Sequence, residues 1–204
     1  MSIRRGETWG APGPLPDDGV IVGSDAEARR VVEQAMRAGE EPPPLGLLGG
    51  DLCTTLGGRG DRARLASDHA ARVLVDIGRA VLDDGEPQYF VAHVVARRSW
   101  WRGRIVAVMN AAWIGEWNVA PRAHPSDGVF EVIDADLSLG DRWKARARLP
   151  LGTHLPHPGI AVHRSCAVVL DLGRPTPIVL DGVDGGNATR LRVDLLADAL
   201  AVVV

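Results

Sequence analysis

The spacing of apolar residues changes at about residue 70. Before that point, a short apolar run at 20–22 precedes Ala26–Ala38, where apolar residues recur at helical spacing. Ser24-Asp25 and Gly39 supply the signals that begin and end a helix. A second apolar run, Leu45–Leu48, ends in two glycines and an acid. The order strand, helix, strand, glycine turn predicts half of a nucleotide-binding α/β unit.

After residue 70 the chain consists of short runs rich in Val, Ile and Leu, separated by turn signals such as Asp184-Gly185-Gly186. Nine runs predict strands: Val73–Leu82, Tyr89–Ala96, Arg104–Asn110, Val129–Ala135, Ile160–Arg164, Cys166–Leu172, Thr176–Asp181, Arg190–Leu195 and Ala199–Val204. One interruption, Leu139–Leu149, predicts a helix. So many short strands in one stretch indicate a sandwich or a barrel.

Composition narrows the class of protein. A 46% hydrophobic content is enough for a substantial core, and a net charge of -3 disfavours nucleic acid as a partner. The two cysteines, Cys53 and Cys166, lie far apart in apolar settings, which favours free buried thiols in a reducing compartment. No run approaches the roughly 20 apolar residues of a spanning helix, so we expect a cytoplasmic protein.

Three short motifs offer candidate chemistry. Gly49-Gly50-Asp51 follows a predicted strand, where glycines let backbone N–H groups approach a phosphate and an acid can hold Mg²⁺. Pro121–Gly128 is a proline-bounded loop before a strand, and Asp181-Gly182 ends another apolar run. Each has a simpler reading as a turn or a hairpin connection, because Asp and Gly are common turn residues.

Taken in order, these motifs resemble the diacylglycerol kinase-like lipid kinases, whose fold is shared with the NAD kinases. Gly49-Gly50-Asp51 is similar to the start of the family's Gly-Gly-Asp-Gly-Thr loop, and Pro121–Gly128 to its Pro-x-Ala-x-x-x-Asp-Gly stretch. Val179–Gly182 resembles its Val-Asp-Gly-Glu motif. Val75–Gly78 and Met109–Ala111 match the strands between these motifs.

The resemblance implies an α+β fold, with a reduced α/β nucleotide-binding-like segment followed by a β-sandwich domain. Residues 1–16 would be an irregular lead-in, 17–70 the α/β segment and 71–204 the sandwich. It also implies ATP- and Mg²⁺-dependent phosphorylation of a lipid hydroxyl.

Site residues are implied by the same resemblance. The phosphate of ATP would lie on Gly49, Gly50 and Asp51. The carboxylate of Asp127 would hold Mg²⁺ beside the backbone carbonyls of His124 and Val129. Asp181 would flank the catalytic base position, and Asp184 is the nearest following acid.

Departures from the family pattern support a different function. Leu52-Cys53 stand where the family has Gly-Thr, and Val183 stands where its glutamate acts as base. Valine cannot accept a proton, and Asp184 lies one position further along a strand, on the opposite face. The alternative is therefore a catalytically inactive, kinase-derived module that binds a lipid or a protein.

A cluster of arginines and tryptophans predicts contact with a lipid surface. Arg97, Arg98, Trp100, Trp101 and Arg102 combine side chains that favour the membrane interface with side chains that bind phosphate. They would place the protein peripherally at the inner membrane face. The alternative is a hairpin tip whose tryptophans pack back on the sheet. The basic segment 142–148 either extends this face or is the solvated side of a helix.

Histidines and sheet edges give weaker signals. His154, His157 and His163 lack the cysteines or clustered acids of a zinc site, so a rigid loop is the simpler interpretation. His93 alternates with valines and reads as a buried or sheet-face histidine. Exposed sheet edges leave a homodimer open.

Overall fold

The computed structural model describes residues 10–204. Residues 1–9 of the lead-in predicted at 1–16 therefore lie outside the described residues. Four α-helices and thirteen strands follow in the described part of the chain. They are β1 (Ala11–Pro12), β2 (Val20–Val22), α1 (Asp25–Ala38), β3 (Leu45–Leu47), α2 (Asp51–Thr55), α3 (Arg62–Leu65), β4 (Ala71–Leu82), β5 (Gln88–Phe90), β6 (His93–Arg97), β7 (Ile105–Met109), β8 (Trp113–Ile114), β9 (Trp117–Asn118), β10 (Phe130–Ala135), α4 (Leu139–Arg148), β11 (Ile160–Ser165), β12 (Ala167–Leu180) and β13 (Val183–Val203).

The α/β segment forms as its sequence signals predict. The Ser24 hydroxyl accepts a hydrogen bond from the Glu27 N–H at the start of α1, and Gly39 ends the helix in the left-handed region. Ala28 and Val32 are buried against β2, β3 and β4. β3 pairs in parallel with β2 on one side and with β13 on the other. The sheet of this segment is therefore continuous with that of the second part, and the boundary predicted at residue 70 stays a prediction.

The second part is a β-sandwich, which confirms the predicted fold class. The strands follow the order β1-β4-β13-β12-β6-β7-β10-β11. The long strands β12 and β13 let this sheet fold back on itself. Between its two halves lies a core that includes Phe90, Phe130, Val108, Ile178 and Leu191. The rings of Phe90 and Phe130 lie 5.5 Å apart at its centre.

Four predicted strands are in fact two. Cys166–Leu172 and Thr176–Asp181 form one strand, β12, because the irregularity between Asp171 and Thr176 only shifts the pairing register. The last two predicted strands likewise merge into β13. The turn predicted at Asp184-Gly185-Gly186 lies inside β13, and the chain reverses at Asp181-Gly182 instead, where both residues have positive φ.

One face of the sandwich lies outside this core and carries the pockets described below. It is formed by β6, β7, β10 and β11. Cross-strand partners share a face, so the register aligns three rows of side chains there. The rows are His93-Met109-Glu131-Arg164, Val95-Ala107-Ile133-Val162 and Arg97-Ile105-Ala135-Ile160. The α4 helix and the β8–β9 hairpin pack over the second and third rows.

Two other expectations bear on the environment of the protein. Both cysteines are free, and Cys53 is buried as predicted. Cys166 is exposed, which corrects its prediction, because it lies in the connection between β11 and β12. Within residues 10–204, no helix is both long enough and apolar enough to span a bilayer.

Candidate functional site

The Gly49-Gly50-Asp51 loop connects β3 to α2, and two backbone donors at its end, those of Asp51 and Leu52, are already engaged. The carboxylate of Asp25, at the start of α1, accepts hydrogen bonds from the N–H groups of Asp51 (2.5 Å) and Leu52 (3.1 Å). A Cβ atom at Gly50 would lie 2.5 Å from the same carboxylate, so a glycine is needed there. A phosphate on this loop would use such N–H groups. The carboxylate of Asp25 therefore occupies a position on the loop that a bound anion would otherwise take.

The Asp51 side chain ties this loop to the sandwich. Its Oδ2 atom lies 2.9 Å from Nε2 of His93 in β6, and its Oδ1 atom accepts a hydrogen bond from the Gly115 N–H at 2.8 Å. Both contacts lie between residues far apart in the sequence. Asp51 therefore joins the two parts of the molecule.

Asp181 is a structural carboxylate in this geometry. It is 5% exposed, and it accepts hydrogen bonds from the backbone N–H groups of Val91 (2.7 Å), Ala92 (2.9 Å) and His93 (3.0 Å). Asp184 is exposed and accepts from the Gly186 N–H at 2.8 Å. The two predicted catalytic acids thus lie in different environments, one buried and one in solvent.

Asp25, Asp51, His93 and Asp181 form a buried ionisable cluster. Burial, together with the charges of Asp181 and Asp51, raises the pKa of Asp25 to about 6, although its two N–H donors oppose the rise. Burial also raises the pKa of Asp181. For His93, burial lowers the pKa, but the three carboxylates outweigh it and the pKa is raised overall. The cluster therefore binds protons more readily in the folded protein.

The stability of the protein should consequently increase on mild acidification. A group with a raised folded pKa binds more protons when folded, so its contribution is lost as pH rises through that pKa. We expect Asp25→Asn to reduce the gain in unfolding free energy between pH 8 and pH 5 by about 1 kcal/mol. Urea unfolding at both pH values measures it, with the exposed carboxylate removed in Asp68→Asn as control. An equal pH dependence in Asp25→Asn and wild type would contradict the assignment.

The loop with the predicted metal residues is held by other contacts. The Asp127 carboxylate forms an ion pair with Arg164 and accepts a hydrogen bond from the Val129 N–H at 3.2 Å. The His124 carbonyl accepts from the Asp127 N–H at 3.3 Å. Burial raises the pKa of Asp127, and Arg164 opposes the rise. A guanidinium in contact with the carboxylate does not fit a Mg²⁺ ligand set, and the metal role stays a prediction.

Metal-binding side chains also do not converge elsewhere in residues 10–204, where no group of three His, Cys, Asp or Glu residues could hold a metal ion. His154 is buried with Nε2 3.1 Å from the Val119 carbonyl. His163 is paired with Val132 of β10, which faces the sandwich core. The rigid-loop interpretation of this segment stays a prediction.

An apolar pocket lies on the outer face of the sandwich. It has about 780 Å³ of empty space, counting the part open to solvent, and its lining is almost wholly apolar. Val95, Ala107 and Ile133 form its floor, and α4 forms one wall. It lies under the helix predicted from the sequence at Leu139–Leu149, which the structure confirms to within one residue.

Tryptophans and arginines form the rim of this pocket. Trp100 packs edge-on against Trp117 at 5.3 Å, and Trp101 lies 5.8 Å from Trp143 of α4. Arginine guanidinium groups stack on these rings: Arg97 on Trp100, and Arg146 on both Trp101 and Trp117. Trp143 is 67% exposed and Trp101 is 41% exposed. Arg98 and Arg102 are also exposed beside them.

The sequence model of the YegS C-terminal NAD kinase beta sandwich-like domain matches residues 62–204, which is more than half of the chain. The chain belongs to this family. The resemblance stated from the three motifs is thereby confirmed at the level of family.

Solved structures support the same fold for this member of the YegS sandwich family. A candidate diacylglycerol kinase from Bacillus anthracis str. Sterne has 14% identity and a TM-score of 0.69, covering 91% of this chain and 77% of that one. A diacylglycerol kinase structure from the same organism has 14% identity and a TM-score of 0.64, with 91% and 75% coverage. No curated protein matches the chain at a significant level. At this identity the likeness concerns the fold alone.

Several residues of this family member carry contacts that the sequence motifs did not assign. Asp76 accepts hydrogen bonds from the N–H groups of Gly128 and Asp198, both at 2.9 Å. The amide of Asn110 donates to the carbonyls of Asp76 and Val91, both at 2.8 Å. Both residues lay in segments that matched the family strands, so the match was a signal for position but not for role.

Proposed function

We propose that this YegS-family sandwich is a lipid-binding protein without phosphotransferase activity, which holds a hydrocarbon chain in the apolar pocket of its outer face. The pocket itself is the observation that carries the proposal. Its almost wholly apolar lining, between the sheet and α4, is typical of a site that takes a hydrocarbon group. Each buried CH₂ group would contribute about 0.8 kcal/mol, so an acyl chain could bind through burial alone.

The rim suits contact between the protein and an anionic membrane. Exposed indole rings favour the interface between hydrocarbon and water, and guanidinium groups bind lipid phosphates. Stable membrane association needs more than one anchor. The stacking of Trp143 on Trp101 brings α4 into the patch as a second anchor beside the segment 97–102. This arrangement supports the peripheral membrane location as a proposal.

The same geometry argues against phosphoryl transfer. The N–H groups of Asp51 and Leu52 bind the Asp25 carboxylate where a phosphate would lie. The side chains of Leu52 and Cys53 are buried in the core. Val183, at the position of the family's base, offers no proton acceptor. A transfer reaction needs a phosphate cradle and a base near the acceptor.

Filling the pocket should abolish lipid binding. Ala107 is buried on the pocket floor, so Ala107→Trp would place an indole ring in the space proposed for the hydrocarbon chain of the lipid. We expect at least about a tenfold loss of affinity, or 1.4 kcal/mol, measured by displacement of a fluorescent fatty acid. Ala145→Trp fills the pocket from α4 and should act alike. Ala161→Trp, at an exposed position of β11, is the control.

Two results would reject this function. One is a wild-type protein that binds neither the fatty acid nor vesicles containing an anionic phospholipid. The other is unchanged affinity in both pocket-filling variants, provided that their thermal unfolding shows them to be folded. A loss confined to Ala107→Trp and Ala145→Trp supports the pocket as the lipid site.

A further inference from the structure

A second pocket lies on the same outer face, at the edge formed by β11. It has about 960 Å³ of empty space, counting the part open to solvent, and polar and apolar surface line it about equally. Its wall is built from Pro121 and Arg122, from the segment 152–157, and from Glu131 of β10. The motifs of the phosphate loop and of the late Asp-Gly turn contribute nothing to it. It is therefore separate from the predicted nucleotide site.

Glu131 is the unusual residue of this second pocket. Glu131 is only 1% exposed, and its Oε2 atom has no hydrogen-bond partner among the described residues. Burial raises the pKa of Glu131, while the N–H and the charge of Arg122 and the charge of Arg164 oppose the rise. A buried carboxylate oxygen without a donor costs free energy, and native proteins rarely keep one without a reason. A ligand hydroxyl or ammonium group would supply the missing donor.

Arg122 and His157 supply the opposite chemistry in the same pocket. The exposed guanidinium of Arg122 is a geometric match for a phosphate. Nδ1 of His157 accepts a hydrogen bond from the Gly159 N–H at 3.1 Å. In the neutral ring this contact leaves the proton on Nε2, which can then donate to a ligand. The pocket thus combines hydrogen-bond donors for an anion, Arg122 and His157, with an acceptor, Glu131, for a hydroxyl or ammonium group of the ligand.

We propose that this pocket binds a phosphate ester that also carries a hydroxyl or ammonium group. Arg122 and His157 contact the phosphate, and Glu131 accepts a hydrogen bond from the second group. Glycerol phosphate has this chemistry, both as a free metabolite and as the head of a lysophospholipid. Ile160 lines both this pocket and the apolar pocket, so a lipid head here would lie beside its own chain. Only the lipid source rests on the proposed function.

The test compares three variants of the whole chain with two phosphate esters and with inorganic phosphate. Calorimetry with sn-glycerol 3-phosphate measures the free source, and native mass spectrometry with lysophosphatidylglycerol measures the lipid source. We expect Arg122→Gln to weaken binding of the ligand that binds wild type by about tenfold. Glu131→Gln should weaken the same ligand by a similar factor but leave inorganic phosphate unchanged, because phosphate does not use Glu131. Arg30→Gln, an exposed arginine of α1, should change neither.

The outcomes separate this inference from the proposed lipid site. Binding of sn-glycerol 3-phosphate that depends on Arg122 and Glu131 supports the pocket even if Ala107→Trp leaves fatty-acid binding intact. Binding of the lysolipid alone, lost both in Arg122→Gln and in Ala107→Trp, assigns the pocket to the lipid head. No binding of either ligand to wild type overturns the inference, as does equal affinity in Arg122→Gln and Arg30→Gln.

Discussion

Replacing Asp181 with alanine is expected to lower the free energy of unfolding by about 3 to 5 kcal/mol. The carboxylate is buried and accepts hydrogen bonds from three consecutive backbone N–H groups, those of Val91, Ala92 and His93. Its removal would leave these donors unsatisfied in the interior. It would also place alanine at a positive φ angle in the turn at Asp181-Gly182, a conformation that aspartate and glycine adopt more readily. Urea denaturation followed by circular dichroism measures the loss.

Asp184→Ala is the matched control for this experiment. It removes a carboxylate three residues later, from an exposed side chain that accepts a hydrogen bond from the Gly186 N–H in its own turn. We expect a change within about 0.5 kcal/mol. Equal stability of the two variants would contradict a structural role for Asp181 and would return it to the candidates for catalysis.

Local signals in the sequence were sufficient for the α/β segment. The N-cap at Ser24 and the glycine at Gly39 fixed both ends of α1 to within a residue, because capping depends on neighbouring residues. The spacing within Leu139–Leu149 located α4 in the same way. Alternating valines and isoleucines also located most strands. These features are set by residues close in the chain, so one sequence suffices to predict them.

Strand length could not be predicted in this way. Gly173 and the prolines of β12 read as a break, yet the pairing with β13 continues across them with a shift of register. A bulge near Asp198 likewise interrupts the pattern of β13 without ending the strand. The decision between a turn and a bulge depends on the partner strand. That partner is far away in the sequence.

The candidate site shows the same limit. Ser24-Asp25 predicted a helix start, but the carboxylate of Asp25 also reaches Asp51 and Leu52, which lie 26 and 27 residues later. The outer pocket gathers side chains from β6, β7, β10 and α4, which no single motif contains. Sequence motifs therefore located the Gly-Gly-Asp loop correctly, whereas the contacts that decide its chemistry depend on tertiary structure.

Millimolar ATP with Mg²⁺ is expected to produce no saturable heat of binding with the wild-type protein. A phosphate would have to displace the Asp25 carboxylate from the N–H groups of Asp51 and Leu52. It would also approach the charges of Asp51 and Asp181. Two like charges 4 Å apart repel by about 4 kcal/mol at the effective dielectric constant near a protein surface. Saturable binding that is lost in Asp51→Ala would contradict this and favour an active lipid kinase.

Asp25→Ala tests whether this carboxylate is what excludes the anion. The substitution frees both loop donors and removes one negative charge, so we expect weak, saturable binding of ATP to appear at millimolar concentration. Glu27→Ala removes an equal charge from the same turn of α1, where Glu27 accepts from the Gly23 N–H at 2.7 Å, without uncovering the loop. A gain in Asp25→Ala alone would identify Asp25 as an internal substitute for phosphate. If both variants stay silent, the loop has lost its anion site through Leu52 and the packing around it, because these are the features that the two variants share.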